Sequence, residues 1–209
     1  MAPGASTARL AIALGLSAAL AACADPAPSS SRRIEQHTRF EHWLDTGHRD
    51  AVAAYRNRLE GRQLTDALPM DALLRTSRRW RLCLHDEFAT PPPALQPNIE
   101  ATLRVVARLH EAGLLDPTLA RSGWRDARVN RCAGGASGSK HLQNNAIDFD
   151  LPERPDSVAA LCAWWRKHGE TARMGLGFYT PTAIHIDTSG FRTWGTDRTR
   201  RSSLCIAKR

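Results

Sequence analysis

Four side chains in this sequence have the types and spacing to hold a metal ion and act on water: His141, Asp148, His185 and Asp187. Asp148 lies in the run Ala146-Ile147-Asp148-Phe149-Asp150-Leu151, and His185 and Asp187 in Ala183-Ile184-His185-Ile186-Asp187. Both runs alternate with period two, the pattern of a half-buried strand. Ile147, Phe149 and Leu151 then face one way and Ala146, Asp148 and Asp150 the other, while Ile184 and Ile186 oppose His185 and Asp187. His141 precedes the first run across Asn144-Asn145, a turn that lets it fold back beside Asp148. Two imidazoles and one carboxylate, with a fourth position left to water, form the usual ligand set of a catalytic zinc. The open position is where the ion lowers the pKa of water toward ~7 and polarises a carbonyl.

Each of these residues taken singly reads as surface or hydrogen-bonded structure, and only their joint pattern carries the metal reading. Asp150 shares a face with Asp148 and is a rival ligand, but reads better as a hydrogen-bonding neighbour or a solvent-facing group. His37, His48, His85, His110 and His168 stand in helical or loop contexts without such partners and read as structural. Gly134-Gly135 reads as a turn, since no Lys-Ser/Thr helix start follows to make a phosphate loop. Trp164-Trp165 reads as core packing.

The elements that must position the strands are helical. Residues 34–80 read as helix broken by Gly61 and Pro69, with Phe40, Trp43, Leu44, Val52 and Tyr55 as apolar anchors. Ile99, Leu103, Val106 and Leu109 recur at helical spacing between Pro97-Asn98 and Gly113, and a second helix is expected from about Ser157 to His168, closed by Gly169. Helices packed on a small, mostly antiparallel sheet that carries the zinc site make an α+β fold.

The N-terminal segment reads as an export signal. Residues 1–22 hold one charged residue, Arg9, and the apolar run Leu10 to Leu20, too short for a membrane span but suited to a signal peptide. Leu20-Ala21-Ala22-Cys23 resembles a bacterial lipoprotein cleavage box, which implies a lipid on Cys23; plain secretion is the alternative. Ala24 after the cysteine favours the outer membrane over the inner. Residues 23–33 would be the anchored Cys and a flexible linker, and 34–209 a single domain, expected to be monomeric and periplasmic. Cys83, Cys132, Cys162 and Cys205 remain, an even number suited to disulfides in an exported chain. Of three possible pairings, Cys83–Cys132 with Cys162–Cys205 is preferred. The formal charge of +8 over 209 residues invites a nucleic-acid reading. Export argues against it: anionic envelope polymers and lipids would meet the same surface, so no nucleic-acid partner is expected.

Ser122-Gly123-Trp124-Arg125, then Ser139-Lys140-His141 and, six residues on, Asp148-Phe149, resembles the D-alanyl-D-alanine carboxypeptidase-like zinc peptidases. Gly175-Leu176-Gly177-Phe178-Tyr179, His185-Ile186-Asp187 and Arg192-Thr193-Trp194 resemble the branch of that family that ends in HxD and RxW. The resemblance spans about residues 80–195. It implies Zn2+ held by His141, Asp148 and His185, and hydrolysis of peptidoglycan stem peptides as a D,D-carboxypeptidase or murein endopeptidase. Arg125 would hold a substrate carboxylate or carbonyl, which suits a guanidinium fork, and Ser139 would orient the loop of His141 or donate to substrate. The Glu that some relatives place three residues before the last histidine is Thr182 here, so Asp187 is taken as the general base. The swapped assignment, His185 as base and Asp187 as ligand, stays open. A catalytically inactive envelope lipoprotein that binds peptidoglycan or a protein partner is the alternative function.

Overall fold

The two alternating runs form neighbouring strands. The computed structural model describes Met1 and residues 28–206. Its strands are β1 (Ala120–Ser122), β2 (Ala146–Asp150), β3 (Gly175–Phe178), β4 (Ala183–Asp187) and β5 (Arg192–Trp194), in the order β1-β2-β4-β3-β5. All neighbouring pairs are antiparallel except β3 with β5, which is parallel. The helices are α1 (Pro28–Trp43), α2 (Arg49–Glu60), α3 (Met70–Leu73), α4 (Glu100–Glu111), α5 (Ala127–Cys132) and α6 (Ser157–His168). The fold is α+β, as the pattern predicts. Among the described residues, no helix is long and apolar enough to cross a membrane.

Ile147, Phe149, Leu176, Phe178, Ile184 and Ile186 are buried and share one core cluster with Leu103, Val106 and Leu109 of α4 and Leu161 and Trp165 of α6. Each such side chain contributes about 1.5–3 kcal/mol by leaving water. Phe40 of α1 and Tyr55 and Leu59 of α2 join the same cluster, so the N-terminal helices extend the core. Polar contacts tie them on: Arg39 Nε donates to Glu87 Oε2 at 2.6 Å and Gln36 Nε2 to Asp71 Oδ2 at 3.2 Å. Thr102 on α4 donates to Asn145 (3.1 Å) and sits 3.0 Å from the Thr188 hydroxyl, fastening the start of β2 to the end of β4.

Three expectations change. The strands are not half-buried: their polar face is also covered, and Asp148, His185 and Asp187 are buried. Residues 74–80 are not helical, because Leu74 and Thr76 pair with Ala89 and Glu87 through main-chain bonds of 2.9 and 2.8 Å. The linker assigned to 23–33 overlaps α1, which starts at Pro28. The signal segment 1–22 beyond Met1, and Cys23 itself, lie outside the described residues. The preferred cysteine pairing is the one that forms, Cys83–Cys132 and Cys162–Cys205.

Candidate metal centre

Strand register assembles the site. Asp148 on β2 pairs directly with His185 on β4, His185 with Gly177 on β3, and Gly177 with Trp194 on β5. Ser122 on β1 completes this rung beside Asp148. The next rung is Ala146, Asp187, Gly175 and Arg192. Directly opposed residues project to the same face, so the two rungs lie side by side on it. The glycines of β3 make room for neighbours that lean across it. A Cβ at Gly177 would lie 2.0 Å from Trp194 Cζ2, and one at Gly175 2.6 Å from Asp187 Oδ2.

His141 reaches the rung from a short 3-10 turn, Lys140–Gln143, that ends at Asn144 in the left-handed conformation (φ 52°). This is the reversal expected at Asn144-Asn145. His141 Nε2 lies 3.0 Å from Asp148 Oδ1 and 3.1 Å from His185 Nδ1, and His185 Nδ1 lies 3.0 Å from Asp148 Oδ1. The outer ring atoms are each committed. His141 Nδ1 donates to the Gly123 carbonyl at 2.7 Å, and His185 Nε2 donates to Asp187 Oδ2 at 3.0 Å. Those partners only accept, so each ring turns its other nitrogen toward Asp148 Oδ1.

The Ser122-Gly123-Trp124-Arg125 segment braces two of the three groups. Gly123 holds His141. Arg125 donates through Nη2 to Asp148 Oδ2 and through Nε to Ser122 Oγ (2.8 Å), and its backbone N–H reaches the His141 carbonyl at 3.3 Å. Arg125 was expected to hold substrate; it is itself buried, although it also lines the cavity described below. Ser139 caps the 3-10 turn through its backbone, makes no side-chain cap bond and lines the same cavity.

Asp187 does not stand where a general base must. It is buried behind His185, on the Nε2 side, and Arg192 grips it with bonds of 3.0 and 2.5 Å while Ser189 N–H donates at 2.8 Å. Burial pushes its pKa up, but His185 and Arg192 outweigh that and hold it at about 2. It orients the imidazole, as carboxylates behind metal-binding histidines do. The swap with His185 fails for the same reason: the whole ring separates Asp187 from the cluster. Asp150 is also placed. It pairs with Arg78 and Arg121 and lies outside the cluster.

The electrostatics act differently on the three groups. Burial, then the Arg125 charge, lowers the His141 pKa to about 4, leaving a neutral ring. Burial also works against protonation of His185, but hydrogen bonds to Asp148 and Asp187 outweigh it and raise its pKa. Burial alone would raise Asp148; His141 and Arg125 hold it well below the usual carboxylate range. His185 Nδ1 is therefore set to receive a proton or a metal ion. The donor set fits zinc: the edges of 3.0–3.1 Å come close to the ~3.3 Å that separates ligands of a tetrahedral ion bound at ~2.0 Å. His141, Asp148 and His185 thus form a possible metal site.

The cluster opens into a cavity of ≈ 490 Å³, whose lining includes Arg78, Arg79, Lys140 and Arg198. Arg198 reaches the Gly134 carbonyl at 2.6 Å across it. Asp148 is the one carboxylate in the lining among the described residues. Lys140, Tyr179, Arg192 and Trp194 line the cavity and stand in the quoted motifs, yet the sequence assigns them no role. Tyr179 Oη donates to Asp148 Oδ1 at 3.2 Å, and its ring meets Trp194 edge-to-face with centroids 5.2 Å apart. The residue is 38 % exposed overall, but desolvation of its hydroxyl end, then the Asp148 charge, raises the pKa of that phenol.

A family model described as Peptidase M15 matches residues 68–187, starting earlier than the quoted motifs and stopping before Arg192-Thr193-Trp194. No curated protein and no solved structure matches the chain.

Proposed function

Because this chain belongs to the peptidase M15 family of zinc-dependent peptidases, we propose that it is a zinc peptidase of the bacterial envelope that hydrolyses D-amino-acid-containing stem peptides of peptidoglycan. The observation that carries the reading is the buried triad of His141, Asp148 and His185, of which Asp148 and His185 line a cavity whose other charged side chains are cations. Zinc held there would supply Lewis acidity toward water and a scissile carbonyl. The chain's own residues do the positioning. Arg125 fixes Asp148, Gly123 fixes His141, and Asp187 with Arg192 fixes His185. Among the described residues Arg79 and Lys140 form no ion pair, so their charges suit a peptide that carries free carboxylates, whether cut as a D,D-carboxypeptidase or as a murein endopeptidase.

The two disulfides support an oxidising compartment, consistent with a monomer tethered in the periplasm by a lipid on Cys23, at the outer membrane, with no nucleic-acid partner. One observation favours a second reading, an inactive envelope protein that keeps the site: among the described residues the lining holds no carboxylate besides Asp148 to take a proton from water. Metal analysis with mass spectrometry of muropeptide digests separates the two. The peptidase reading expects bound zinc and cleavage that stops on chelation and in His185→Ala. Zinc without turnover favours the second reading, and a chain that binds no metal ends both.

A further inference from the structure

We propose that Tyr179 is a catalytic residue whose hydroxyl donates a hydrogen bond to the scissile carbonyl oxygen as that oxygen gains negative charge. This rests on the peptidase reading of the same site. The hydroxyl lies 3.2 Å from Asp148 Oδ1 and 3.4 Å from His185 Nδ1, beside two of the three candidate ligand atoms. A carbonyl drawn to the point those atoms share comes within its reach. Its bond to Asp148 Oδ1 can be exchanged for one to substrate without moving the ring.

Tyr179 is 38 % exposed, but its ring is held on two sides. It meets Trp194 at 66° and 5.2 Å and His185 at 83° and 6.3 Å between centroids. The Tyr179 backbone N–H donates to the Ala183 carbonyl at 2.9 Å, locking the turn between β3 and β4. A donor fixed before the reaction reorganises little when charge develops, which is what makes such a bond effective in a partly dry site.

Other cavity groups are less well placed. Ser77 Oγ accepts from Arg79 N–H at 3.1 Å, and Thr180 Oγ1 accepts from the backbone of Thr182 and Ala183 at 3.2 and 2.9 Å. Arg125 is spent on the far oxygen of Asp148, and Asp187 lies behind His185. In the reaction, water adds its oxygen to the carbonyl carbon, the C–N bond breaks and the leaving amine takes a proton from the water. Tyr179 keeps its own proton, and no bond to it forms or breaks.

Tyr179→Phe keeps the ring against Trp194 and removes only the hydroxyl. The expected result is unchanged zinc content, KM within about two-fold and kcat lowered by roughly 10²–10³. Affinity for a phosphinate analogue of the scissile dipeptide, tetrahedral and charged, should fall by the same factor in calorimetry, with affinity for the product peptide preserved. Unchanged kcat, equal losses for phosphinate and product, or loss of the metal would overturn the assignment. The visible spectrum of the cobalt-substituted variant should match that of the cobalt-substituted parent; a changed spectrum would make Tyr179 a ligand instead. Parent protein that neither cleaves peptide nor binds the phosphinate defeats the peptidase reading itself, whereas a parent that does both, matched by its Phe variant, defeats only the role of Tyr179.

Discussion

The floor and the rim of the cavity are built on opposite terms. On the floor and directly behind it, Asp148 and His185, which line the cavity, and His141 and Asp187, which do not, each have two or more hydrogen-bonding partners and are buried, so every group arrives with its orientation set. On the rim, Arg79 and Arg198 are exposed and Lys140 half-buried, and they come from segments outside the sheet. Buried polar groups need complete partners to offset lost hydration, whereas rim charges are screened by water and cost little when left unpaired. The floor is therefore rigid and specialised for one chemistry, and the rim is free to select among substrates.

Breaking the floor gives the largest effects. His185→Ala or His141→Ala should abolish zinc binding by metal analysis and lower kcat/KM by more than about 10³-fold, because two ligands no longer define a catalytic site. A variant that keeps full metal and activity would show that the floor is not the centre.

Next comes the staple between rim segments. Cys83–Cys132 joins the loop after Ser77 to the end of α5. Replacing both cysteines with serine should cost roughly 2–4 kcal/mol in denaturant unfolding. Zinc affinity below the transition should stay within about two-fold; a larger loss would show that rim and floor are coupled.

A smaller effect tests the orienting carboxylate. Asp187→Asn should weaken zinc binding about 10–100-fold while leaving stoichiometry at saturation unchanged. The pH dependence sharpens this. His185 has a raised pKa, so apparent zinc affinity should begin to fall as pH drops through that value, where a proton starts to compete for Nδ1. Asp187→Asn removes one cause of the raise, so the pH below which zinc affinity begins to fall, read from competition titrations across pH, should move lower, separately from the pH-independent weakening. An onset unmoved by the substitution would leave Asp187 without influence on the ring.

The mildest changes belong to the rim. Arg79→Gln and Lys140→Gln should each raise KM for an acidic peptide by a few-fold, leave kcat near the parent value and flatten the salt dependence of kcat/KM. A comparable loss on a neutral peptide would assign them a structural role.

Much of the floor was legible in the chain because strand alternation is local. Ile147/Asp148/Phe149 and Ile184/His185/Ile186 announce both the strands and the faces of their side chains without reference to anything distant. The α4 and α6 helices were legible for the same reason. β1 and β5 were not: three residues are too few to display a period. β3 was hidden by its glycines, which count against a strand. Its Leu176 and Phe178 do alternate, and the glycines become explicable only once Trp194 and Arg192 are seen leaning across them.

The sequence by itself determined which faces carry ligand-type side chains: Asp148 on one alternating run, His185 and Asp187 on another, with His141 across a turn; the register that sets Asp148 opposite His185 is the fold's. Nor did the sequence determine what each one does. That His185 turns Nδ1 to the cluster and Nε2 to Asp187, and that Asp187 orients the ring rather than taking a proton, follows from Asp148 on a neighbouring strand and from Arg192 and Ser189 gripping the carboxylate behind. An alternating pattern states which face a side chain occupies. The direction in which an imidazole on that face points its lone pair is set by the donors and acceptors around it, and those are brought together only by folding.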